Sequence, residues 1–128
     1  MAEVIEHKKS EETYDDPDHP IPALKYIDIN AVKKGGGSDL VIIIASPLKS
    51  DPYSQNRLLD KIQGYLAHIQ SSDFIAESGM PSPENTNVIV KIHEQSEPLI
   101  FQLLSKCESW VKENNATLKV EILKESEL

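Results

Sequence analysis

The chain has 128 residues, a formal net charge of −8, 39 % apolar residues and one cysteine. That length suits a single domain with a real core but not two. With one arginine, Arg57, and scattered lysines, no clustered basic surface exists to displace counterions from a phosphate backbone, so no nucleic-acid partner is expected.

The charge is unevenly spread. Residues 1–23 carry seven acids against Lys8 and Lys9, a balance of −5, and lack periodic apolar positions. Residues 1–22 therefore read as a disordered acidic leader, unable to bury enough surface to offset its ordering entropy. From Tyr26 to Val32 the residues Ile27, Ile29 and Ala31 alternate with Asp28 and Asn30, the period of a half-buried strand. Gly35-Gly36-Gly37-Ser38 is a flexible turn, and the β-branched run Leu40–Ala45 follows as a second strand, completing a hairpin. This apolar run is the longest in the chain and far too short to cross a bilayer, so no membrane association is expected.

Asp51 followed by Pro52 marks a helix start, because an aspartate caps free N–H groups and proline has none to waste in the first turn. Leu58, Leu59, Ile62, Tyr65, Leu66 and Ile69 then line one face of a helix extending to about Gln70. Phe74 and Ile75 tuck its exit against the core, and Gly79–Asn85 is a loop broken by Pro81 and Pro83. Val88, Val90 and Ile92 alternate as a third strand ending at His93. Ser96 and Pro98 open a second helix with the stripe Ile100, Leu103, Leu104, Cys107 and Val111. Asn114-Asn115 ends it, since asparagine tolerates the left-handed turn. Leu118, Val120 and Ile122 form a fourth strand, and 125–128 is a polar tail.

The order β-β-α-β-α-β, with one apolar stripe per helix, predicts an α+β two-layer sandwich. Its four-stranded, mainly antiparallel sheet would carry both helices on one face. The expected organisation is leader 1–22, domain 23–124 and tail 125–128.

The stretch Lys61-Ile62-Gln63-Gly64-Tyr65-Leu66-Ala67-His68-Ile69-Gln70-Ser71 resembles a family of uncharacterised small bacterial proteins with a domain of unknown function. In that family an Ile/Leu-rich strand precedes a helix with a Lys-Ile/Leu-Asn-x-Tyr-Leu-x-Phe-Ile-like core. The resemblance covers about residues 27–123. The chain departs from the pattern before the helix, where Ser46–Ser50 and Tyr53-Ser54 replace an aromatic and a histidine, and His68 stands near the family's aromatic position. The resemblance implies the β-β-α-β-α-β body and no activity.

Chemistry-bearing residues are few. His93-Glu94 at a strand end, His68 on the first helix and Ser46 after the second strand are the weak catalytic candidates, a histidine near a carboxylate serving as general base where it meets a nucleophile such as Ser46. No nucleophile-elbow spacing accompanies them. Cys107 sits within an apolar stripe, where a thiol packs as a small hydrophobe, and one cysteine permits no internal disulfide. Asp15-Asp16-Pro17-Asp18-His19 is rich in oxygen ligands but lacks the spacing of a calcium loop, and Gly35–Gly37 leads into a strand rather than a phosphate-binding helix start. No metal or cofactor is therefore expected. Trp110, at the margin of the second helix, is an interaction candidate, because aromatics concentrate at binding hot spots.

The reading that follows is a non-catalytic, cytoplasmic protein-interaction module, regulatory or neutralising, that binds another protein or pairs with itself as a homodimer. The cytoplasmic assignment rests on the lone cysteine and on the lack of a basic start followed by an apolar run. The competing reading is a small enzyme or ligand-binding domain built on His93, Glu94 and His68.

Overall fold

The computed structural model describes residues 15–127. In chain order they form β1 (Ile29–Val32), β2 (Ser38–Ile44), α1 (Pro52–Ile69), α2 (Ser72–Ser78), β3 (Thr86–His93), α3 (Pro98–Lys106), α4 (Glu108–Glu113) and β4 (Thr117–Leu123). A short 3-10 turn, Glu125–Glu127, follows. The α+β class with a four-stranded sheet is as the sequence predicts.

The strand directions are not. The sheet is mixed, in the order β1-β2-β3-β4, and only β1 with β2 is antiparallel. A helix that crosses the sheet returns the chain to the end where the preceding strand began, so neighbours joined this way run parallel. Both β2–β3 and β3–β4 are joined so, which overturns the mainly antiparallel expectation.

The helices also differ from a simple pair. Ser71 caps α2 with its hydroxyl and buries Phe74, so the predicted helix exit is a helix of its own. The second predicted helix divides at Cys107 into α3 and α4. Asp51 caps α1 as expected. The α3 cap position is Glu97 rather than Ser96, because the Ser96 hydroxyl is occupied accepting from the Leu48 N–H. Asn115 adopts the left-handed φ of 71° expected of the terminating asparagines.

One core forms between the helices and one sheet face. Leu40, Ile42 and Ile44 of β2 and Val88, Val90 and Ile92 of β3 share it with Leu58, Ile62, Tyr65, Leu66 and Ile69 of α1, Phe74, and Ile100, Leu104, Cys107 and Val111. Cys107 is fully buried and its thiol is pushed up to about 12 by desolvation, so it packs rather than reacts. The opposite face carries Ile29, Val41, Ile43 and Ile89, bordered by Asp39, Asn87 and Lys91.

Strand β1 starts later than the alternation predicts, and all its residues are exposed. The reason lies in Asp28, whose carboxylate accepts from the Ile43 N–H and from Lys61 Nζ. A side chain here replaces the backbone ladder. The Tyr65 hydroxyl adds to the clamp, accepting from the Asp28 N–H at 2.7 Å and donating to the Val41 carbonyl at 2.6 Å.

Much of the expected leader lies outside the described residues, but Asp15–Pro22 does not, and it packs on the domain. Ile21 is 2 % exposed and belongs to the core. Its carbonyl accepts from Arg57 Nε and Nη2. The expected boundary at residue 22 therefore cuts through a docked segment, because the apolar contact of Ile21 shows no period in the sequence.

Candidate functional site

The three parallel strands end on the same side of the sheet, and the loops leaving β2 and β3 meet there. Glu97 N–H donates to the Leu48 carbonyl, the Leu48 N–H to Ser96 Oγ, and the Ser50 hydroxyl to Glu97 Oε1 at 2.8 Å. Beside this junction the docked segment 15–22 and the start of α1 enclose a hollow of about 300 Å³. Asp16, Asp18, His19, Lys49, Asp51, Tyr53 and Ser54 supply its polar lining, and Pro20 and Pro47 its stiff walls. In open parallel sheets, ligand sites gather outside the carboxyl ends of the strands, and this hollow lies at that end of β2.

The hydrogen bonds have a direction. His19 Nδ1 accepts from the Ile21 N–H at 2.9 Å, which leaves the neutral ring's proton on Nε2. Nε2 lies 2.9 Å from Ser54 Oγ and so donates to it. Ser54 in turn donates its N–H to the capping carboxylate of Asp51 at 3.3 Å. A serine is activated when an imidazole nitrogen takes its proton. Here the imidazole gives one, so the His19–Ser54–Asp51 chain orders the hollow without generating a nucleophile. Burial, and then the Arg57 charge, lower the His19 pKa and keep the ring neutral.

Two carboxylates of the hollow, Asp16 and Asp51, are held ionised. The Tyr53 hydroxyl donates to Asp16 Oδ2 at 2.6 Å and depresses its pKa, and Ser54 does the same for Asp51. The Tyr53 ring is braced edge-on by His19, with centroids 5.4 Å apart, and lies under the Arg57 guanidinium at 5.6 Å. Three aspartates against Lys49 leave the lining acidic. Among the described residues, no group of three or more His, Cys, Asp or Glu is placed to hold a metal ion.

The candidates singled out in the sequence lie elsewhere and do not converge. His93 is buried at the end of β3, where Nδ1 accepts from the Gln95 N–H and Nε2 meets Glu125 at 3.0 Å. Its carboxylate partner is thus in the tail and not the adjacent Glu94, which is exposed and bonded through its backbone to Leu123. His68 lies in the last turn of α1, edge-on to Phe74, in a shallow groove with Leu24, Lys25 and Ile27. Because α1 runs back along the sheet, that turn is at the opposite end from His93, roughly 20 Å away by helix rise. Ser46 is exposed beyond β2. Trp110 packs against the core margin and lines a small hollow with Gln63, Leu66 and Asn114. The sequence names the Asp15–His19 stretch and Tyr53-Ser54 separately, and their convergence escapes it, since 35 positions separate the histidine from its serine. The signals available were the Asp51–Ser54 capping spacing and the stiffening prolines 17, 20 and 22.

Comparison with known proteins finds no matching family model, no similar curated protein and no similar solved structure. No helix is long and apolar enough to cross a membrane among the described residues.

An acid-sensitive stability follows from these shifts. His19, Asp16, Asp51 and Glu97 all have folded pKa values below their ordinary ones. A lowered folded value means that the unfolded chain takes up protons first, so the contribution is complete above the unfolded value and lost as pH falls. The melting temperature is expected to begin falling as pH drops below the ordinary His value of 6.5, and to fall again below the ordinary carboxylate value of about 4. Melts of His19→Asn across this range should lack the upper limb. If both proteins show the same profile above pH 5, His19 is not its source.

Proposed function

We propose that this protein is a non-catalytic interaction module of the cytoplasm, regulatory or neutralising, whose acidic hollow takes a lysine or arginine side chain from a partner protein. The observation that carries this reading is the direction of the His19–Ser54 bond beside the Asp51 cap, which fixes the hydroxyl as an acceptor from the ring. What remains at the hollow is ionised carboxylate on stiff walls, and this surface complements a cation. The acids of residues 1–14, outside the described residues, add attraction at longer range, which speeds encounter with a basic partner more than it tightens the complex. The resemblance to small bacterial proteins of unknown function is compatible with this role.

A synthetic peptide rich in lysine and arginine, titrated into the isotope-labelled protein, is expected to shift the His19 and Tyr53 ring signals saturably. Asp16→Asn with Asp18→Asn should weaken that binding by about tenfold and reduce its salt dependence. Unchanged ring signals at saturating basic peptide, or equal binding by the double variant, would overturn the assignment.

A further inference from the structure

The outer edge of β4 is the feature that points to a specific partner. β4 is the terminal strand of the sheet, paired with β3 alone among the described residues. The helical layer does not reach across it. Leu118 is buried, while Val120 and Ile122, on the same face, are 41 % and 46 % exposed. On the other face Lys119 and Glu121 are also exposed.

The backbone polarity of this edge can be read. The Glu94 N–H donates to the Leu123 carbonyl, so Leu123 turns its backbone toward β3. Backbone groups alternate sides along a strand. Thr117, Lys119 and Glu121 therefore also face β3, and Leu118, Val120 and Ile122 direct their N–H and C=O groups outward. An unpaired edge of this kind is a template for another strand.

We propose that the occupant is β4 of a second copy, antiparallel, with the two-fold axis at Val120. In that register Val120 faces Val120 and Leu118 faces Ile122, and each outward-facing residue meets another outward-facing residue, so all can exchange both backbone bonds. The charges then fall into place: Lys119 of each copy lies opposite Glu121 of the other, on one face, at cross-strand distance. On the second face Leu118, Val120 and Ile122 of both copies form one apolar ridge and cover the side chains that the helices leave bare.

Neighbouring two-fold registers are worse. An axis at Lys119 or at Glu121 sets like charges directly opposite each other. An axis at Leu118 or Ile122 removes the Lys119–Glu121 match. The other edge offers no equivalent, since β1 has four residues, Ile29-Asn30-Ala31-Val32, with no charge to match. The contact is self-complementary and closes on itself, as a two-fold dimer requires. It is independent of the acidic hollow and of any basic partner.

Sedimentation velocity of the full chain over a concentration series tests this, with three variants. The wild type is expected to dimerise. Lys119→Glu and Glu121→Lys each replace two attractive pairs with two repulsive ones and should raise the dimer dissociation constant about tenfold or more. Mixed in equal amounts, these two variants restore opposite charges across the axis and should form a heterodimer of near wild-type affinity. Val120→Pro removes an outward N–H and leaves the β3 ladder its donors, so it should fold, by circular dichroism, and remain monomeric. A wild type monomeric at every concentration would overturn the proposal. So would single charge variants as tightly paired as the wild type, or a mixture that fails to associate while the wild type does; the latter two would place any dimer contact elsewhere.

Discussion

Replacing Gly37 with alanine is expected to cost the chain a large share of its stability. Gly37 has a φ of 88°, and a Cβ built on it would lie 2.1 Å from the Asn85 carbonyl oxygen and 3.0 Å from the Asn85 carbonyl carbon. Those atoms are backbone and cannot swing aside. The Ser38 N–H donates to the same Asn85 carbonyl, and Ser38 pairs with Thr86 at the start of the β2–β3 ladder. Relieving the clash therefore means prising apart the amino ends of the two central strands. Together with the left-handed φ, the loss should be at least about 3–4 kcal/mol, out of a total of about 5–15 kcal/mol for a domain of this kind. Gly35 and Gly36 are internal controls, with φ of 90° and 104° but open space around the added carbon. Alanine there should cost only about 1–2 kcal/mol each. Urea denaturation of the three variants separates the terms, and equal losses at all three would show that the approach of Asn85 contributes nothing.

The contrast among these glycines marks how far the sequence reaches. Three consecutive glycines predict a turn, and a turn forms, but only a tertiary contact distinguishes Gly37 from its neighbours. Signals acting within a few residues are legible: the Asp51 cap, the α1 stripe and the stop at Asn115 all stand. Strand direction is not local, because it depends on which strand becomes a neighbour after each crossover. The candidate site was hidden for a related reason. His19 stands in a segment whose composition resembles that of unfolded chains, and it is ordered by partners in α1. Arg57 and Lys61 lie outside the apolar stripe of that helix, yet both are 2 % exposed. Their acceptors include backbone carbonyls of the docked segment and of the stretch that follows it, and a carbonyl leaves no mark in a sequence.

Lys61→Met should loosen residues 23–28, the stretch that joins that segment to β1. Lys61 Nζ donates to the Ala23 carbonyl at 2.6 Å, the Tyr26 carbonyl at 2.8 Å and Asp28 Oδ1 at 3.0 Å, so the three hydrogens of the ammonium are all used. Methionine keeps the aliphatic length and removes the charge, leaving these acceptors unpaired beside the sheet edge. Removing one partner of a buried ion pair costs about 3–5 kcal/mol. The Asp28 side chain remains 28 % exposed and water can reach part of it, so the expected loss is nearer about 2–4 kcal/mol. Asp28→Asn should cost less, since its amide oxygen still accepts from Lys61 while its NH₂ cannot accept from the Ile43 N–H. The double variant is expected to lose about 1–2 kcal/mol less than the sum of the single losses, because the uncompensated carboxylate left by Lys61→Met is then gone. Hydrogen exchange gives a local readout: the Asp28 amide, bonded to the Tyr65 hydroxyl, should exchange faster in Lys61→Met while the β3 amides keep their protection. Additive losses, with that amide unchanged, would mean that Ile21 and Leu24 hold the segment by burial alone, and that the cations beneath it are incidental to the shape of the hollow they border.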